Sequence, residues 1–134
     1  MNILVIDAHG GGVGKALVAE IKKALPSITV TAVGTNSAAT TAMKKAGADF
    51  AATGENSVVV CARNSDVIVG PIGIVIADSL LGEITPKMAE AVGQARAKRI
   101  LIPMKNCGNI VVGTYDMNMS ALISAAVEEI KNLL

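Results

Sequence analysis

The opening stretch, MNILVIDAHGGGVGK, constrains the fold more than any other part of the chain. Ile3-Leu4-Val5-Ile6 is an uninterrupted apolar run, the pattern of a strand buried on both faces. It stops at Asp7, then Gly10-Gly11-Gly12 follow, and a helical pattern opens near Val13. Amides in the first turn of a helix lack internal partners, and the helix dipole favours negative charge there. Glycines carry no Cβ, so an anion can approach their backbone. The stretch therefore predicts a phosphate-binding α/β unit, with ligand contacts from Asp7, His9, Gly10, Gly11, Gly12, Val13, Gly14 and Lys15.

The rest of the chain alternates strand and helix patterns. A helix is predicted over 13–25, where Val13, Leu17, Ile21 and Leu25 recur every four residues and Pro26 ends the run. Residues 28–33 are rich in β-branched side chains and predict a second strand. Asn36 and Ser37 can cap an alanine-rich helix over 38–45, which Gly47 stops. Residues 49–53 are a further strand candidate. Val58-Val59-Val60 favours a strand by propensity, but position in the alternation favours a helix over 57–64, and a helix is predicted. Residues 66–69 form a strand leading into Gly70-Pro71-Ile72-Gly73. No element is assigned to 74–81. Thr85 and Pro86 open a helix continuing to about Ala97. Strands are expected at 99–104 and 109–112, and an amphipathic helix at 116–134.

Such alternation predicts a doubly wound, mainly parallel sheet with helices on both faces, in three layers. At 134 residues the chain is expected to be one domain, 1–134. In a sheet ordered 3-2-1-4-5-6 the topological switch lies between the first and fourth strands, and ligands bind outside their carboxyl ends. The two loops there are 9–15 and 70–73, which adds Gly70, Pro71 and Ile72 to the candidate site.

Composition narrows the partners. The chain is 51% apolar and 17% charged, with a net charge of +1 and only Phe50 and Tyr115 as aromatics. It lacks the basic patch and stacking platforms of nucleic-acid binders. The most apolar stretch, 67–84, is broken by Pro71, Asp78, Glu83 and glycines, and is rejected as a membrane span. Cys61 and Cys107 have no metal-type spacing and there is one histidine, so no metal site is expected. They predict free thiols in a reducing cytoplasm. The apolar content also predicts a homodimer through an apolar helix face.

Two nucleotide motifs align on the glycine loop, and neither is complete. As a dinucleotide fingerprint, G-x-G-x-x-G falls on His9, Gly11 and Gly14, with histidine at the first position. Gly11 would then admit the pyrophosphate. Asp66-Val67-Ile68-Val69-Gly70 resembles the fourth strand of Rossmann dehydrogenases. The acid expected at the end of the second strand is absent, and Thr35, Asn36 and Ser37 stand there instead. As a P-loop, Gly10–Lys15 resembles the deviant Walker A of the ParA/MinD ATPases, with Ile74–Asp78 as an imitation Walker B strand. There, however, Gly10 replaces the signature lysine and Ala16 the hydroxyl that holds Mg²⁺. The fingerprint alignment points to NAD or NADP as the cofactor. Packing alone also accounts for a glycine turn of this kind.

His9, Asp78 and Glu83 are the acid–base candidates: His9 for its place in the loop, Asp78 as a carboxylate inside an apolar run, Glu83 at a polar cluster. Capping explains the polar clusters 53–56 and 82–87 without function. Cys107 is read as an unreactive thiol.

Taken together, several blocks resemble one family. They are Val5-Ile6-Asp7 with the Gly-Gly-Gly-Val-Gly-Lys loop, Gly34-Thr35-Asn36, Ala52-Thr53-Gly54-Glu55-Asn56, Gly70-Pro71-Ile72-Gly73-Ile74 and Leu81-Gly82-Glu83-Ile84-Thr85-Pro86-Lys87-Met88-Ala89. The family is DUF3842, small bacterial proteins of unknown function. The resemblance implies a complete protein rather than part of a dehydrogenase, and supplies no activity. Three expectations follow: a nucleotide-binding protein, a small enzyme on a phosphorylated or dinucleotide ligand, or a partner-binding module without a nucleotide.

Overall fold

The computed structural model describes residues 1–105, 108–114 and 116–134. Its elements run β1 (Asn2–Asp7), α1 (Gly12–Ala24), β2 (Thr29–Gly34), α2 (Ser37–Lys45), β3 (Phe50–Thr53) and α3 (Glu55–Arg63). Then come β4 (Val67–Pro71), α4 (Pro86–Gln94), β5 (Lys98–Ile102) and α5 (Met119–Asn132). The five strands are all parallel, in the order β3-β2-β1-β4-β5.

β1 is central because both of its faces are apolar. Ile3 and Val5 face a core completed by Leu17, Val18 and Ile21 of α1, Met43 of α2, and Ile123, Val127 and Ile130 of α5. Leu4 and Ile6 face the other core, with Val58 of α3 and Met88 and Val92 of α4. This period-two split makes three layers, α1, α2 and α5 on one face and α3 and α4 on the other. The chain moves outward through β2 and β3, and α3 then carries it back to β4 beside β1. The switch point therefore lies between β1 and β4, where Val5 pairs with Val69.

Three sequence expectations are corrected. Residues 109–112 form no strand: Ile110 and Val112 are 83% and 82% exposed, with no strand beyond β5 among the described residues to pair with. The Thr85-capped helix ends at Gln94, because Ala95 turns to an extended conformation at φ −61°, ψ 144°. The last helix starts at Met119, where the Asn118 side chain accepts from the Ala121 N–H at 2.8 Å. Asn106, Cys107 and Tyr115 lie outside the described residues, and with them the Cys107 thiol. No helix among the described residues is long and apolar enough to cross a membrane.

Candidate functional site

The loop after β1 is braced from beneath. Asp7 is only 5% exposed. Its Oδ1 accepts from the Ala8 N–H at 2.8 Å, and its Oδ2 from the Gly14 N–H at 2.6 Å. Burial raises the Asp7 pKa; the Gly14 and Ala8 amides and the nearby His9 work against it, while Glu83 adds to it. Asp7 thus ties the loop to the first turn of α1, and its carboxylate is already occupied by protein.

The glycines divide into two kinds. Gly11 caps α1 at φ +75°, and a Cβ on it would lie 2.8 Å from the Ala39 Cα of α2. A Cβ on Gly14 would lie 2.5 Å from the Met43 sulfur and 2.8 Å from the Asp7 Cβ. Both lack side chains because helices pack there. Gly10 and Gly12 instead face open space. The amides of Gly12 and Val13 have no hydrogen-bond partner among the described residues, as first-turn amides of a helix. The open space is therefore at Gly10 and Gly12, while Gly11, the glycine that the fingerprint assigns to the pyrophosphate, lies against Ala39.

A strap crosses from β4 to α4. It begins as a 3-10 turn, Ile72–Val75, and runs to Thr85, with Ile74 and Ile84 fully buried as its anchors. Ile74–Asp78 is thus a turn and a bend, and no Walker B strand forms there. Within the strap Asp78, Leu80 and Leu81 take positive φ values of 64°, 56° and 57°. Such values are uncommon outside glycine and mark a conformation held by its surroundings. One holding contact is the Asp78 N–H donating to the Ile84 carbonyl at 2.8 Å.

The main one is Glu83. Its Oε1 accepts from Thr35 Oγ1 at 2.6 Å, from Asn36 Nδ2 at 2.8 Å and from the His9 N–H at 3.0 Å. Its Oε2 lies 3.2 Å from His9 Nε2. Burial alone would raise the Glu83 pKa; the bonds from Thr35, the His9 amide and Asn36, with the His9 charge, outweigh it and hold the carboxyl below its usual range. Asn36 also donates to the His9 carbonyl at 2.8 Å, and its Oδ1 caps α2 through the Ala39 N–H.

His9 is correspondingly fixed. Its Nε2 lies 3.0 Å from the Leu80 carbonyl oxygen and faces Glu83 on the other side. Both neighbours are acceptors, so Nε2 carries the hydrogen. Nδ1 has no partner among the described residues and is left as the ring's acceptor. A carboxylate that orients an imidazole and holds it in one tautomer is an arrangement suited to proton transfer.

The structure therefore brings His9, Thr35, Asn36 and Glu83 together at the carboxyl ends of β1 and β2. Lys15 is exposed on the first turn of α1 with no ion pair among the described residues. Asp78 is corrected: it is exposed on the strap's turn, so its place in an apolar run demands no buried partner. Gly70 and Pro71 are buried at the end of β4 and Ile72 is half-buried; the Ile6 carbonyl fills the space where a Gly70 side chain would lie. The sequence gives no sign of the Leu80 carbonyl, nor that Glu83 meets Thr35 across 48 residues. No group of three or more His, Cys, Asp or Glu among the described residues is placed to hold a metal ion.

Sheet, switch point and glycine loop together define a Rossmann-like α/β protein. The chain belongs to the DUF3842 family, a domain of unknown function, whose match spans residues 2–134. No curated protein matches it in sequence. Among solved structures it is similar to a dodecameric FMN-dependent Ubix-like decarboxylase from Escherichia coli O157:H7. That match has a TM-score of 0.56 and 15% identity, over 99% of this chain and 94% of that one. It is also similar to apo saccharopine dehydrogenase (L-Glu forming) from Saccharomyces cerevisiae, with a TM-score of 0.51 and 14% identity. That match covers 96% of this chain but 23% of the dehydrogenase. At these identities the likeness is one of fold.

Proposed function

We propose that this protein binds a nucleotide, or another phosphate-bearing ligand, across the glycine loop, with NAD or NADP the leading candidates. One observation carries the reading: at the β1/β4 switch the space around Gly10 and Gly12 is open, and the helix-start amides of Gly12 and Val13 are unpaired among the described residues. That combination favours a phosphate group. The fold it shares with an FMN-dependent enzyme and a dehydrogenase supports the same reading.

Thermal shifts with NAD⁺, NADP⁺, ATP, GTP, CoA, S-adenosylmethionine and FMN test it. At 100-fold over Kd a ligand adds about 2.7 kcal/mol, so the melting temperature rises by roughly 10 °C for a chain of this size. No rise with any of them overturns the proposal. Gly12→Asp tests the placement, because a Cβ there meets nothing and the new carboxylate sits where the phosphate would. This variant keeps its own melting temperature and loses the ligand shift; a Gly12→Asp protein that still binds overturns the site.

A second reading, catalysis, is favoured by the His9–Glu83 pair, which leaves Nδ1 free to take a proton. Product formation from whichever ligand binds, followed by NMR, decides between binding and turnover. We also infer a cytoplasmic homodimer. Its support is the exposed Ile110, which with Met119 lines a cavity of about 620 Å³ shared with Met104, Val111 and Leu122, and the exposed Val112. Sedimentation at micromolar concentration gives twice the chain mass; a monomer rejects the dimer.

A further inference from the structure

We propose that Glu83 supplies, from the strap, the carboxylate that the end of β2 lacks, so that the bound nucleotide presents a ribose with a free 2′-hydroxyl there. This rests on the nucleotide reading above and names its ligand class. β2 ends at Gly34 and is followed by Thr35-Asn36-Ser37, with no acid. Glu83 reaches that point nonetheless, its Oε1 2.6 Å from Thr35 Oγ1 and 2.8 Å from Asn36 Nδ2.

The two carboxylate oxygens are not equivalent. Oε1 takes three donors, Thr35, Asn36 and the His9 amide, and has no room for another. Among the described residues Oε2 faces His9 Nε2 alone, at 3.2 Å, and keeps an acceptor position. The Glu83 side chain is 30% exposed, so a solvent-borne hydroxyl can reach it. An O–H···O⁻ bond is among the stronger hydrogen bonds available to a sugar.

Charge sets the exclusion. Hydrogen bonds hold the carboxyl ionised at neutral pH, and a 2′-phosphate beside it would meet a like charge. Arg99 is committed to the carbonyls of Val92, Ala95 and Ala97. Arg63 and Arg96 lie beside α3 and α4 in a separate groove with Lys87. No arginine joins the cluster that would receive a 2′-phosphate.

Calorimetric titration of the whole chain with NAD⁺ and with NADP⁺ tests the proposal. NAD⁺ binds about ten-fold or more tighter, and Glu83→Gln brings the two within about three-fold, chiefly by weakening NAD⁺. If ATP is the nucleotide that binds, 2′-deoxy-ATP takes the place of NADP⁺ and is the weaker of the two. NADP⁺ binding as well as NAD⁺, a ratio unchanged in Glu83→Gln, or binding of FMN alone, which carries no ribose ring, overturns this proposal and leaves the phosphate reading standing. Silence from every ligand overturns both. The wild-type comparison needs no variant, so a poorly folded Glu83→Gln protein does not rescue the idea.

Discussion

A Gly11→Val protein melts roughly 10–15 °C below wild type, whereas Gly12→Ala stays within about 2 °C. The two residues are neighbours in one glycine run, and the difference lies in what surrounds them. A side chain on Gly11 would be driven into the Ala39 Cα and carbonyl, which are backbone atoms and cannot rotate aside. Forcing extra atoms into a packed contact costs about 1–3 kcal/mol. The left-handed conformation at φ +75° adds about 1–2 kcal/mol for a residue with a Cβ, and a β-branched residue is the least suited to it. Gly12 has a helical conformation and open space around its Cβ, so alanine there loses nothing and gains slightly in helix propensity. Scanning calorimetry on both variants reads the difference. A Gly11→Val protein that melts with wild type would show that α1 and α2 do not pack through this glycine.

That contrast bears on what a sequence can reveal. The alternation of strand and helix was readable because Ile3–Ile6 and the four-residue spacing of Leu17, Ile21 and Leu25 obey the periods of their elements. Position in the alternation also overrode local propensity correctly at Val58-Val59-Val60, which lie in α3. The same β-branched signal misleads at Ile110-Val111-Val112, because a strand needs a partner and the sheet ends at β5. The strap was unreadable for a different reason. Left-handed conformations at Leu80 and Leu81 have no residue signature, since backbone bonds within the strap and its anchoring through Glu83 hold them. Each member of the site was visible singly as a polar residue near a turn. Their meeting was not, because His9, Thr35 and Glu83 are joined by topology rather than by spacing.

Glu83 also ought to govern how the protein responds to acid. Its carboxyl lies below the usual range in the fold, so the stability it contributes is present above the unfolded value, near pH 4, and is lost as pH falls through the folded value. Asp7 has the opposite sign: burial raises its pKa, so the fold gains stability as pH falls through the folded Asp7 value. Asp49 behaves like Glu83, through the Val30 amide and Lys22, but is the same in both proteins compared. Glu83→Gln therefore removes one acid-labile contribution and keeps the rest. At pH 7 the variant is less stable by about 1–2 kcal/mol, because a neutral amide oxygen accepts more weakly from Thr35, Asn36 and the His9 amide, its NH2 replaces the Oε2 acceptor that faces His9 Nε2, and the site is partly hydrated. Towards pH 3 the two stability curves converge, and the variant has the shallower acid limb. Hydrogen exchange locates the effect: the Asp78 and Gly82 amides, bonded to the Ile84 and Asp78 carbonyls, open faster in the variant, while those pairing β1 with β4 change only with global stability. Parallel acid limbs in the two proteins, or strap amides that exchange at the wild-type rate, would remove Glu83 as the contact that holds the strap on the glycine loop.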